Sequence, residues 1–402
     1  MLRLLRIRTT PAEHEEKTTW LELFFDLVYV AILVVLGDRL SHDLSLQGVV
    51  EFALLFIPIW LSWLEPVFYS RRFPTDDIGH RLLTVLYMGA MVSLAFELHD
   101  VTGETATSFL LAYAATKSIL ALMYARAWRQ HPEYCHFAGA HVVLFAVLAV
   151  LWTAIALLEP FGYTSWAIAT ALGLLSPFVV PQIMRRAGLS EEDIPPIKAH
   201  YVLDRFGELT IIVLGEFFLK AALGAAERES HRLTTFYGLA LLAVSVGLWW
   251  LYFDHLEHST LRANRIRRRA WIDLHSLLLA GIAAYGVAGT KVLALAQGEA
   301  LADEKRLLLT GALAVALLAG AGLEWAAPER EEPLARKPQI WVRVAGATVL
   351  AVLAFLGGGL STPLLVASIA LVFAALVAVD VYARTKTQSA SPAGSASGLI
   401  NG

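Results

Sequence analysis

The chain alternates between apolar blocks of about 20 residues and short polar or charged links. A helix rising 1.5 Å per residue needs about that length to cross a hydrocarbon core about 30 Å thick. Twelve blocks qualify, at 20–40, 47–69, 80–99, 104–126, 137–158, 163–184, 200–224, 233–255, 270–297, 305–326, 340–358 and 361–383. Buried cores of soluble proteins also give apolar runs, but rarely a dozen of this length. The pattern predicts an all-α, polytopic bundle of about twelve transmembrane helices. Between the last two blocks, Gly357-Gly358-Gly359 and Pro363 mark either a tight turn or a break in one long helix.

Composition agrees with the pattern. The chain has 402 residues, 57% hydrophobic and 17% charged, with mean hydropathy +0.59. Soluble domains carry more charge and less apolar content. The single cysteine, Cys135, excludes an internal disulfide framework and a zinc–thiolate cluster. The basic start, Met1 to Thr10, runs into the acidic Glu13–Glu15–Glu16, so no cleaved signal peptide is expected.

The links differ in charge, which gives a direction. Counting those at block ends, with Arg126 on one side and Arg39, Lys305 and Arg306 on the other, twenty-one Lys and Arg lie on the side of the N-terminus against five opposite. Basic residues accumulate in the cytoplasm, so both termini are expected there. Pro328 to Pro338 is expected to be a charged cytoplasmic link, and the run Arg262–Arg269 a topology determinant beside anionic lipid. Four segments follow: a cytoplasmic start (1–19), two six-helix halves (20–190 and 195–384) and a disordered cytoplasmic tail (385–402).

The two halves share a pattern. Glu22-Leu23-Phe24-Phe25-Asp26-Leu27 aligns with Asp204-Arg205-Phe206-Gly207-Glu208-Leu209 at an offset of 182. Trp60, Trp63 and Glu65 align with Trp249, Tyr252 and Asp254, and His-x-Leu-Leu begins at both His80 and His275. An even number of helices per half makes the repeat parallel, with the first helices of the halves facing each other near its axis.

Charges inside the blocks carry the candidate chemistry, because ionisable groups in hydrocarbon cost about 2.5–3.5 kcal/mol each and face protein or water. The densest set is His200, Asp204, Glu208, Glu216 and Lys220, at multiples of four residues along one side of the seventh block. Arg205 lies three residues from Glu208 and can pair with it, and Gly207 and Gly215 beside the set permit close helix approach. The first block adds Glu22 and Asp26. Glu97, Lys117, His141, Asp273, Lys291 and Glu324 lie mostly near block ends, where long side chains reach the interface. Any one such group can instead lock a bundle by an ion pair. His200, Asp204 and Glu208 have metal-permissive spacing, but no fourth ligand can be named. Zinc-protease, P-loop and nucleophile-elbow motifs are absent, and no cofactor is indicated. The aromatics Trp60, Trp63, Trp249, Trp250 and Tyr252 serve as interfacial anchors or as a hydrophobic gate.

These motifs resemble the bacterial low-temperature-requirement A (LtrA) family. Leu21 to Val30 is similar to its opening Glu-Leu-Phe-Phe-Asp-Leu-Val-Phe-Val signature. Thr75-Asp76-Asp77 with Arg81 and Met88, His200 through Arg205-Phe206-Gly207 to Leu214-Gly215-Glu216, and Trp249 to Asp254 resemble its later motifs. The likeness runs from residue 20 to about 290, and the last three blocks carry no recognised motif. Two positions depart from the pattern. Asp204 stands where Glu is expected, and Phe217 stands where a small or hydroxyl residue usually follows Gly-Glu. The resemblance implies a bacterial inner-membrane protein but no settled activity. Glu22-x-Phe24-x-Asp26 is also similar to the first-helix motif of a lysosomal potassium channel family with two six-helix repeats, whose first helices line the pore.

The leading expectation is transport of a cation or proton. Asp26, Glu208 and Glu216 bind it along a path between the first and seventh blocks. Glu22, Asp204 and Arg205 set the mouth, and His80, His200, Lys220, Trp249, Asp254 and His275 support it. The expected partners are the bilayer, the permeating ion and a second copy of the chain, not nucleic acid. A membrane enzyme or lipid-binding protein with His200 or Glu208 as base, and a structural or sensory membrane protein, are the alternatives; an enzyme is less favoured.

Overall fold

A computed structural model describes residues 18–158 except 102, isolated positions between 170 and 195, and residues 199–226, 232–257, 265–295, 300–327 and 336–390. Eleven α-helices lie among them: α1 (Trp20–His42), α2 (Leu46–Arg72), α3 (Ile78–Phe96), α4 (Ala106–Gln130), α5 (Cys135–Leu157), α6 (Ala199–Ala226), α7 (Arg232–Glu257), α8 (Arg265–Leu293), α9 (Asp303–Ala326), α10 (Arg336–Leu356) and α11 (Thr362–Ala390). No strand occurs among the described residues. The predicted block 163–184 lies largely outside them, so α6 is the seventh block.

Local signals start and stop the helices. Thr19 caps α1 through a capping box, its hydroxyl accepting from the Glu22 N–H while the Glu22 carboxylate accepts from the Thr19 N–H. Ser45 and Asp77 cap α2 and α3 in the same sense. Pro66, inside α2, has no N–H to offer the Ser62 carbonyl four residues back. The Tyr87 hydroxyl on α3 donates to that carbonyl at 2.8 Å, which also ties α2 to α3. Gly357–Gly359 form a 3₁₀ turn that separates α10 from α11, which decides for the turn over one long helix.

The helices expose oil and bury polarity. In α1, Phe25, Asp26, Tyr29, Leu33, Leu36 and Leu40 are buried while Phe24 and Leu27 face outward. Leu82 and Leu86, Val143 and Val147, and Phe355 and Leu371 repeat this on other helices. An apolar exterior on so many helices would aggregate in water and suits lipid. Among the described residues, ten helices are long and apolar enough to span a membrane. The protein is therefore a multi-pass membrane protein.

The chain divides into two compact units, residues 1–216 and 217–402, with the division inside α6. In the first unit, α4 packs along α5, α3 lies against α4 and α1, and α1 lies against α2. In the second, α9 packs between α8 and α10, and α11 lies against α7 and α10. Small residues permit these approaches: a Cβ on Gly281 would lie 2.9 Å from the Ala312 carbonyl oxygen. Two boundaries move. α8 begins at Arg265, so four of the five arginines expected in a loop are helical, and Arg269 pairs with Asp273 at 2.7 Å. α11 continues to Ala390, past the expected start of the tail.

Candidate functional site

The first unit gathers charges from α1, α2, α3, α4 and α6. Its centre is Asp26, which has no exposed surface. Arg205 on α6 donates from Nη2 to Asp26 Oδ1 at 2.6 Å, and Trp63 on α2 donates from Nε1 to the same oxygen at 2.7 Å. Phe206, next to Arg205, sets its ring edge against Trp60 and Trp63, at 5.8 and 5.1 Å between centroids. That contact seats the start of α6 on α2 and delivers the guanidinium to α1.

Two donors are concentrated on Oδ1, so Asp26 Oδ2 is left without a hydrogen bond, as are Arg205 Nε and Nη1. Arg205 also lines a pocket of about 20 Å³ with Glu22, Phe25, His80, Thr84 and Tyr87. That is room for a water or a bare cation. His80 is buried, and its Nδ1 has no hydrogen bond.

The predicted residues therefore separate. Glu22, Asp26, Arg205, Glu208 and His80 belong to one neighbourhood, although Glu22 also serves as the cap of α1. Arg205 pairs with Glu208, as its spacing allows, at 3.9 Å, and more closely with Asp26 at 2.6 Å. The sequence places Glu208 one turn away on the same helix, whereas the fold supplies a closer, fully buried partner. Asp204 and Glu216 are half-buried. Glu216 lies eight residues beyond Glu208, about 12 Å along the axis, outside the neighbourhood. Gly215 was expected to permit close packing, but a Cβ there meets nothing within 4 Å among the described residues. The side chains of His200 and Lys220 lie outside the described residues.

Trp249, Asp254 and His275 belong to the second unit. Trp249 is exposed on the apolar exterior, whereas Trp60 and Trp63 are buried. His275 is buried, with Nδ1 2.7 Å from the Trp271 carbonyl and Nε2 3.1 Å from the Tyr252 hydroxyl. A carbonyl only accepts, so Nδ1 carries the proton and Nε2 accepts from Tyr252. Among the described residues no group of three His, Cys, Asp or Glu is placed to hold a metal ion.

Four features were missed in the sequence. Glu65 on α2 hydrogen-bonds Lys117 on α4, deep in the first unit, although Lys117 was read as a group near a block end. Glu324 lies 3.4 Å from Arg343 in the second unit, and both are buried. Arg71 and Arg72, counted as loop charges, end α2 and are cation–π partners, over Tyr201 at 4.0 Å and Phe137 at 4.6 Å. Asp77, between α2 and α3, joins Arg126 across to α4. Burial opposes its charge, but hydrogen bonds from Arg126, the His80 N–H and Thr75 together hold its pKa below the ordinary carboxylate value.

An apolar exterior around helices whose interior holds paired charges defines a polytopic α-helical membrane protein. The sequence profile of the bacterial low temperature requirement A protein (LtrA) family matches residues 17–379, and the chain belongs to that family. The match extends through helices in which no motif was recognised. An uncharacterized protein of Rhizobium meliloti (strain 1021) is 25% identical over 246 residues, covering 60% of this chain and 59% of that protein. The chain thus matches less than two thirds of that relative's length.

Proposed function

We propose that this protein moves a proton or small cation across the bacterial inner membrane, with both termini in the cytoplasm, and that Asp26 and Arg205 form its gate. One observation carries the proposal: a fully buried carboxylate and guanidinium, each with unused hydrogen-bonding atoms, next to a water-sized pocket. A pair that only locked helices would gain from satisfying all its polar atoms, because each orphan costs about 1–3 kcal/mol. Unused capacity suits a site that exchanges partners with a small, polar visitor. The pocket's size suits a proton, water or bare ion. Asp26 is closed off by Arg205 and Trp63, so transport requires the pair to part, as in a gated carrier rather than an open pore. In this reading Glu22 and Glu208 line the approach, and α1 and α6 correspond as the first helices of a proposed parallel repeat.

Purified protein in liposomes tests this. We expect proton or cation flux above that of empty vesicles, abolished by Asp26→Asn and reduced by Glu208→Gln. Absence of flux for protons and several cations overturns the proposal.

A further inference from the structure

The first unit holds a second buried ion pair, and its chemistry differs from that of the first. Lys117 and Glu65 retain 1% and 9% of their side-chain exposure and hydrogen-bond each other. One lone oxygen, Glu65 Oε1, is buried with no hydrogen bond. The Lys117 ammonium has three donors and one carboxylate partner; the face of Tyr113 lies 4.3 Å from Nζ. Guanidinium is permanently charged, so Asp26–Arg205 can exchange protons only at the carboxylate. An ammonium in a buried site can lose its proton, and a carboxylate there can gain one. Glu65–Lys117 is thus a pair in which either partner can change charge.

Its position links it to the pocket. Pro66 and Val67, the residues after Glu65, form part of the pocket wall, as does Tyr87. Pro66 frees the Ser62 carbonyl, and Tyr87 occupies it, so the backbone beside Glu65 is held by a side chain of the pocket wall instead of by a helical hydrogen bond. Trp63, two residues before Glu65, holds Asp26. One stretch of α2 therefore connects both pairs.

We infer that Glu65–Lys117 is a proton-loading site that takes its proton from the water-sized pocket, which makes the proton the transported or coupling ion. This rests on the transport proposal. In the resting pair Glu65 is a carboxylate and Lys117 an ammonium. An incoming proton binds Glu65 Oε1 and leaves a carboxylic acid beside an ammonium, with one unit of positive charge added to the core. Release of that proton restores the pair. The titratable groups facing Glu65 are Lys117, Tyr113 and Tyr124 from α4 and Tyr87 from α3.

Infrared difference spectra of the full-length protein in liposomes, taken across a pH step, read the site directly. A carboxylic-acid C=O band is expected on acidification. It disappears in Glu65→Gln and in the charge-neutral double variant Glu65→Gln/Lys117→Met, which removes both ions and so guards against misfolding. It persists in Asp26→Asn. In Lys117→Met the band moves to higher pH, because the cation that favours the carboxylate is gone. A band unchanged in the double variant, or no band in the wild type, overturns the inference. If the band behaves as expected but the vesicles move no ion, the site stands and the transport proposal falls. If ions move and the double variant leaves the band intact, the loading site falls alone.

Discussion

The two units bury charge in different ways. In the second, Arg343 gives Nη1 to the Gly320 carbonyl and Nη2 to the Leu251 carbonyl, each at 2.8 Å, with Glu324 at 3.4 Å. Arg306 gives Nε to the Ala354 carbonyl at 3.1 Å and Nη1 to Asp303 at 2.5 Å, and the Gly357-Gly358 turn lies against it. Both ring nitrogens of His275 are used. In the first unit Asp26, Glu65, His80 and Arg205 each keep a buried polar atom unused. Charges bonded to backbone carbonyls fasten helices, since those carbonyls cannot leave. Charges bonded to other ionisable side chains, with capacity to spare beside a pocket, can exchange partners. On the transport proposal, the contrast gives structure to the second unit's pairs and chemistry to the first unit's.

The largest effect should come from breaking either pair on one side only. Arg205→Ala strands Asp26 and should cost about 3–5 kcal/mol, read as thermal unfolding in detergent. Asp26→Asn/Arg205→Met should recover most of that stability and none of the flux. Arg343→Ala should lose comparable stability yet leave flux per folded molecule unchanged. Altered flux in Arg343→Ala would break the contrast.

Glycines give a smaller effect of opposite sign in the two units. Gly281→Ala pushes a methyl into the backbone of α9 and should destabilise by about 1–3 kcal/mol. Gly215→Ala meets nothing within 4 Å among the described residues and should stabilise by about 0.5–1 kcal/mol, as for a helical glycine relieved of its backbone entropy. Melting temperatures measured side by side decide this.

The smallest effect is a pH dependence at the rim of the first unit. Asp77 has a lowered pKa when folded, so its stabilisation is complete above its unfolded value, about 3.9, and is lost as the pH falls through the folded value. Stability should therefore fall below about pH 4 in the wild type and fall less in Asp77→Asn. Asp76, lowered chiefly by its hydrogen bonds from Arg81, is exposed and should add less. A melting curve equally steep in Asp77→Asn would remove the Arg126 link as a stabilising contact.

Much of the fold was legible because its signals are local. Spans and the interruption at Gly357–Gly359 depend on neighbours a few residues away. Part of the site was legible for the same reason: a carboxylate amid Phe, Val and Leu must face inward, and Asp26 does. What could not be read was partner choice. Arg205 keeps the acid three residues away at 3.9 Å but takes a closer one 179 residues away. Lys117 fell in an ordinary helical block, and its carboxylate lies on another helix, 52 residues back. Arg343 lay inside a block and drew no notice, yet it ties three helices.

The amino-acid sequence by itself determined a membrane protein of many helices with ionisable groups in its interior, because apolar length and the cost of charge in oil are properties of each segment alone. Only the tertiary structure decided which acid meets which base, which polar atoms are left over and where a water-sized space remains. Those depend on how the faces of separate helices come together, and spacing along one helix cannot encode them.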